Sequence, residues 1–227
     1  MSSISAEALR ELAPDGVIRA GINFGNPSLA RGPADNPSGI SIELSRELAR
    51  RAGVPVRFIA CMGAKEVFDG IRTGAWDIAF MAIEQARMNE AAFTAPYMSI
   101  EGVYLVAEDS PLRSPADVDR AGIRVGTTKG TAYALFLERN LKAAELIATD
   151  NGIEAFCRQK LDAAAGIRQQ IAEYAKGRTD ARIIDEPFME IPQAMAVPVK
   201  KSAAAAYLRG FVEDVKASGF VAGKLRS

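Results

Sequence analysis

Apolar residues recur along the chain in two rhythms, short near-continuous runs and longer stretches at helical spacing, and the two alternate almost from the start. Ser5 leads into a helical turn over 6–13 that Pro14, Asp15 and Gly16 close. A β-type run over 17–22 breaks into the polar loop Asn23, Phe24, Gly25, Asn26, Pro27. Residues 41–50 place apolar side chains at helical spacing up to Gly53, and 54–59 alternate like a strand. A helix over 64–72, stopped by Thr73 and Gly74, precedes the run 76–81, which is apolar enough to be buried on both faces of a parallel sheet. This β-α-β order, extended by a further helix and strand, predicts an α/β lobe.

A strand over 102–106 leads to the turn-rich stretch from Asp109 to Pro115, where a lobe boundary is expected. A second α/β unit follows: a strand over 123–126, the loop Thr127 to Thr131, a helix over 132–140, a strand over 146–148, a helix over 152–159, an apolar run over 161–166, a helix over 169–176 and a strand over 181–184. Beyond Pro187 and Pro192, the run 193–198 predicts a strand that crosses back, so that helices over 203–217 and 220–225 pack on the first lobe. The expected lobes are therefore 1–106 with 192–227, and 107–191. Two such lobes joined by two extended crossings would set the C-terminal strand ends face to face across a cleft, a geometry suited to hinge closure.

Composition narrows what such a fold can do. Lys plus Arg and Asp plus Glu each total 28 in 227 residues, so no net field argues for nucleic acid or an anionic membrane, and any ligand charge must be met locally. Histidine is absent, which excludes His-centred catalysis and removes the commonest zinc ligand. Cys61 and Cys157 cannot form a multi-thiolate metal site and are expected to stay unpaired, so no cofactor or metal is called for. No stretch approaches the ~20 apolar residues that span a bilayer. The first residues lack a secretory pattern, which leaves a removed export signal and a cytoplasmic protein both open.

Several segments, in order, carry a specific likeness: Gly21-Ile22-Asn23, then Gly39 to Leu44, then Gly74 to Ala79, then Arg87 with Phe93-Thr94-Ala95-Pro96-Tyr97, and in the second lobe Val125 to Thr131 and Leu161 to Ala164. Over nearly its whole length the chain resembles the extracellular solute-binding proteins of family three, which serve polar amino-acid ABC transporters. The resemblance implies a two-lobed type II periplasmic-binding-protein fold, a periplasmic location, a small-molecule carboxylate ligand, transporter membrane subunits as partners, and a monomer.

It also implies roles for single residues. Arg87 matches the arginine that receives the ligand carboxylate, a task suited to a planar guanidinium fork; the alternative is a surface arginine opening a helix around Met88 to Glu90. Ala82 and Glu84 stand where the family has hydroxyl residues, and Glu84 either pairs with Arg87 or meets the ligand. Asn23 and Asn26 align with an aspartate and an aromatic; they either bind a neutral or anionic group or serve as turn formers. Thr128, Lys129 and Thr131 sit before a helix, where free amides favour an anion, and Thr131 also suits an N-cap. Ile167 replaces the aspartate that holds an α-ammonium group, with Arg168 beside it as either a pocket residue or a solvated helix start. Arg87 without that aspartate suits a carboxylate better than a standard amino acid.

Two functions compete on this scaffold. The first is a solute-binding protein that is not an enzyme. The second is a cleft enzyme of the cyclohexadienyl dehydratase type, for which Glu84 or Glu101 would supply the acid.

Overall fold

The computed structural model describes residues 4–33 and 35–225. They divide into two compact units, Met1–Met98 with Pro192–Ser227, and Ser99–Ile191.

In the first unit, β1 (Ile18–Asn23) pairs in parallel with both β2 (Val56–Cys61) and β3 (Ile78–Ala82), with α2 (Ile40–Ala52) and α3 (Ala64–Thr73) as the crossovers. Every residue of β3 is buried, as a strand covered on both faces must be. Both helices end on a glycine, Gly53 at φ 69° and Gly74 at φ 63°, a left-handed conformation that other residues resist. The last part of β9 (Ala181–Pro198) runs antiparallel to β3, and the short β4 (Ala91–Phe93) pairs with β9 on its other side. Helices α1 (Ala6–Leu12), α8 (Ser202–Ala217) and α9 (Phe220–Lys224) complete the unit. Trp76 anchors a core of Cys61, Val67, Ala79, Met81 and Ala91, and its indole Nε1–H donates to the Val67 carbonyl at 2.8 Å.

The second unit orders its strands β9-β5-β8-β6-β7, with β5 (Met98–Ala107) antiparallel to β8 (Ala163–Ile167), and β6 (Arg124–Thr128) parallel to β8 and β7 (Glu145–Thr149). Helices α4 (Pro115–Val118), α5 (Ala132–Asn140), α6 (Gly152–Gln159) and α7 (Arg168–Ala175) fill the connections. The small side chains of β8 leave room for helices against it, and Ala164 packs with Val103, Leu105 and Ile171. Asp119 gathers the loop ahead of β7 by accepting from the amides of Lys142, Ala143 and Ala144 at 3.0, 2.8 and 3.1 Å. Asp119→Ala leaves those amides to water alone and is expected to cost about 1–2 kcal/mol of stability, measurable by urea unfolding; a change within error would show the loop is held without it.

Three local expectations need correction. The stretch around Pro115 holds a helical turn, because Ser114 and Asp117 form a reciprocal capping box. Residues 181–184 and 193–198 belong to one strand: Pro187 falls in an exposed stretch, while Pro192 contributes only its carbonyl, which accepts from Ile83 N at 2.9 Å. No helix forms around Met88 to Glu90; a single 3-10 turn, Gln85–Arg87, passes directly to β4. Cys61 and Cys157 are both free thiols. Among the described residues no helix is long and apolar enough to cross a membrane.

Candidate functional site

Because β1 and β3 are parallel, the chain leaves both at the same C-terminal edge of the first unit's sheet, the edge where α/β sheets hold ligands. Asn23 ends β1 and Ala82 ends β3.

The loop after β1 is shaped by its own side chains. Asn23 Oδ1 accepts from Gly25 N and Asn26 Oδ1 accepts from Ser28 N, each at 3.0 Å, so both asparagines are turn formers. The backbone there lies tight against the end of β2, since a Cβ on Gly25 would stand 2.2 Å from the Met62 carbonyl oxygen. Both asparagines are nonetheless nearly buried, at 9% and 8% exposure.

After β3 the 3-10 turn swings Arg87 inward. Its side chain is 2% exposed, which removes the surface-arginine alternative. The guanidinium carbon lies over the Phe68 ring, 5.7 Å from its centroid, and Nη1 donates to the Ala82 carbonyl at 3.3 Å. Burial lowers the guanidinium's pKa from its ordinary value, and the neighbouring Glu84, itself 5% exposed, works in the opposite direction. The result is a desolvated cation placed over an aromatic ring, with Glu84 for company. In this environment a further anion gains far more than it would in water. Gln193, register-paired with Ala82 and 4% exposed, is a buried polar neighbour that the sequence reading passed over; its signal was a lone amide in the apolar run 193–198.

The candidates of the second unit are largely engaged with their own loop. Thr128 Oγ1 accepts from Gly152 N at 3.0 Å, and Thr131 Oγ1 caps α5 by accepting from Ala134 N at 3.2 Å while donating to the Thr128 carbonyl at 2.7 Å. Lys129 is exposed, and its amide donates to the Thr149 carbonyl at 2.8 Å. Arg168 opens α7 and is not simply solvated: it pairs with the Glu101 carboxylate and donates to the Asp185 carbonyl. Ile167, opposite Gly102 in the β5–β8 ladder, is 5% exposed. Trp76 and Phe80 lie in the core. Among the described residues no group of three or more Cys, Asp or Glu side chains is placed to hold a metal.

Set beside known proteins, residues 18–223 match the family of bacterial extracellular solute-binding proteins, family 3. Solved structures agree on the fold. A mutant of ArgBP from T. maritima superimposes with a TM-score of 0.78 at 20% identity, covering 96% of this chain and 97% of that one. An amino acid ABC transporter substrate-binding protein, AbpA, from Streptococcus pneumoniae bound to L-arginine gives 0.78 at 18%, covering 95% of each chain. The ancestral amino acid-binding protein AncCDT-1, a precursor of cyclohexadienyl dehydratase, gives 0.78 at 21%, covering 97% of each. These likenesses identify the architecture as the type II periplasmic-binding-protein fold.

Proposed function

Because the chain belongs to the bacterial extracellular solute-binding proteins, family 3, we propose that it is a periplasmic receptor for a small carboxylate, delivered to the membrane subunits of an ABC transporter. Arg87 carries this reading: it is a buried guanidinium at the ligand-binding edge of a parallel sheet, seated over Phe68 and steered by the Ala82 carbonyl. A planar fork of N–H donors in a dry site matches the two oxygens of a carboxylate and few other groups. Ile167 ends β8 where the resemblance places the aspartate for an α-ammonium group, which favours a carboxylate without that group over a standard amino acid.

Binding, and not chemistry, is what the carboxylates favour. Of the two acids that an elimination reaction would call on, Glu101 is taken up by Arg168 and Glu84 sits against Arg87. Incubation with prephenate or arogenate is expected to give no aromatic product.

The direct test is calorimetric titration with a panel of organic acids, repeated on Arg87→Lys. That variant keeps the charge beside Glu84 while losing the planar fork, so the fold is retained and affinity for the bound acid falls about tenfold or more. An unaltered affinity would remove Arg87 from the mechanism.

A further inference from the structure

A guanidinium meets a carboxylate well only when its plane is set before the ligand arrives, because the fork must line up with both oxygens at once. The backbone around Arg87 offers little help. Arg87 ends the single 3-10 turn Gln85–Arg87, in which the Glu84 carbonyl accepts from Arg87 N at 2.9 Å and the Gln85 carbonyl from Met88 N at 3.2 Å. Such a turn aims the Cβ and leaves the torsions of the long side chain to be fixed by other means.

Helix α3 supplies those means through a closed circuit of contacts. Besides the Arg87 guanidinium carbon at 5.7 Å, that of Arg72, one helical turn on from Phe68, lies over the same Phe68 ring at 5.6 Å from its centroid. Arg72 in turn grips the Glu90 carboxylate with a bidentate fork, Nε to Oε2 at 2.9 Å and Nη2 to Oε1 at 2.6 Å. Glu90 closes the circuit: its amide donates to the Arg87 carbonyl at 3.1 Å, and its own carbonyl accepts from Val199 N at 2.8 Å. The contacts thus run from the Arg87 side chain through Phe68, Arg72 and Glu90 back to the Arg87 backbone.

The charges suit this arrangement. Two cations over one ring repel each other, but the paired bonds from Glu90 neutralise Arg72, so the ring holds Arg87 without a second uncompensated charge beside it. Packing alone does not call for an aromatic here. Phe68 is only partly buried against the cluster of Cys61, Val67 and Trp76, a task that a leucine could also perform. We infer that Phe68 is a positioning residue that sets the plane of the Arg87 guanidinium for its ligand, and that Arg72 and Glu90 hold the Phe68 ring in turn. All three act through Arg87. The inference rests on the carboxylate reading of Arg87 for what that plane receives.

Nitrogen-15 NMR of the ligand-free protein reads the positioning directly, through the rate of rotation about the Arg87 Nε–Cζ bond, with the signal assigned by its loss in Arg87→Lys. Rotation is expected to be slow in the wild type, several-fold faster in Phe68→Leu, and slow again in Phe68→Tyr, which restores a ring. Glu90→Gln, a change at a partly exposed side chain outside the core, is expected to speed the rotation as well. Calorimetric titration with succinate, 2-oxoglutarate, oxaloacetate and pyruvate follows the consequence for binding. The affinity of an acid that binds the wild type is expected to fall about two- to tenfold in Phe68→Leu, the cost of ordering one long side chain on binding, and to be regained in Phe68→Tyr.

Rotation as slow in Phe68→Leu as in the wild type, or fast rotation that Phe68→Tyr does not reverse, overturns the role of the ring. Faster rotation with unchanged affinity overturns the claim that this positioning serves the ligand. Slow rotation in Glu90→Gln overturns the part given to Arg72 and Glu90, and it decides the matter if Phe68→Leu fails to fold. An acid whose affinity is indifferent to Arg87→Lys, or no binding by any of the four acids, overturns the carboxylate reading alone, since the rotation rates are measured without ligand.

Discussion

Asp77→Ala is expected to lower the unfolding free energy by about 3 kcal/mol, the low end of what removing one member of a buried ion pair costs. The Asp77 side chain is wholly buried and serves four donors: Arg19 Nε at 2.9 Å, Arg19 Nη2 at 2.9 Å, the Arg19 amide at 3.1 Å and Lys201 Nζ at 2.9 Å. Lys201 also donates to the Glu11 carbonyl at 2.7 Å, so one carboxylate ties β1, β3, the end of α1 and the start of α8. Arg19 and Lys201 keep about a quarter of their side-chain surface in water, which lets them rehydrate and holds the cost to the low end of the range.

The same site gives a pH signature. Burial pushes the Asp77 pKa up, but the bonds from Arg19 and Lys201 outweigh it and the folded-state value lies below the ordinary one. A depressed folded-state value means that the contribution is fully present above the unfolded pKa of about 3.9 and is lost as pH falls through the folded value. The wild type should therefore lose its advantage over Asp77→Asn only below about pH 4. A stability difference between the two that stays constant down to pH 2 would contradict the assignment.

Gly70→Ala is expected to destabilise by about 2–3 kcal/mol, against the sign that helix propensity alone would give. Alanine in a helix interior is favoured over glycine by about 1 kcal/mol. In α3, however, a Cβ at position 70 would stand 2.4 Å from Trp76 Nε1 and 2.8 Å from its Cδ1, while on the opposite side Gly21 approaches the same ring, its own Cβ position lying 2.7 Å from Cδ1. The indole is clamped between α3 and β1 and cannot move away without giving up its bond to the Val67 carbonyl at 2.8 Å. Overpacking of this kind costs about 1–3 kcal/mol and a lost buried hydrogen bond about 1–3 more, which together exceed the propensity gain. Thermal denaturation decides the sign, and a raised melting temperature would show that the ring has room to shift.

These two sites also mark where the sequence stops being legible. The buried strand around Ile78 and Phe80 declares itself by an unbroken apolar run, and α5 by its spacing and its Thr131 cap, because both signals are local. The short β4 carries too few residues for any period to show, and it exists only because β9 offers it an edge. Pro187 and Pro192 argue locally against a strand that the wider fold nevertheless extends through them.

The site divides in the same manner. Arg87 is found by its neighbours in sequence, but its seat on Phe68 and the pairing of Arg168 with Glu101 join positions far apart along the chain. Asn23 and Asn26 could be read either as turn formers or as ligand contacts. The turns use their oxygens and leave their nitrogens, so the two roles are compatible.

The return of the chain to its first unit has a consequence for biosynthesis. Residues from Ser99 to Ile191 form the second unit as one uninterrupted stretch and can fold as soon as they leave the ribosome. The first unit cannot. The antiparallel neighbour of β3, residues Gln193 to Ala196, and the Lys201 ammonium that Asp77 awaits are translated only after the whole second unit. Through that interval the nascent chain carries β3 with an unpaired edge, so the segment translated first is the one that depends longest on the chaperones that shield emerging polypeptides.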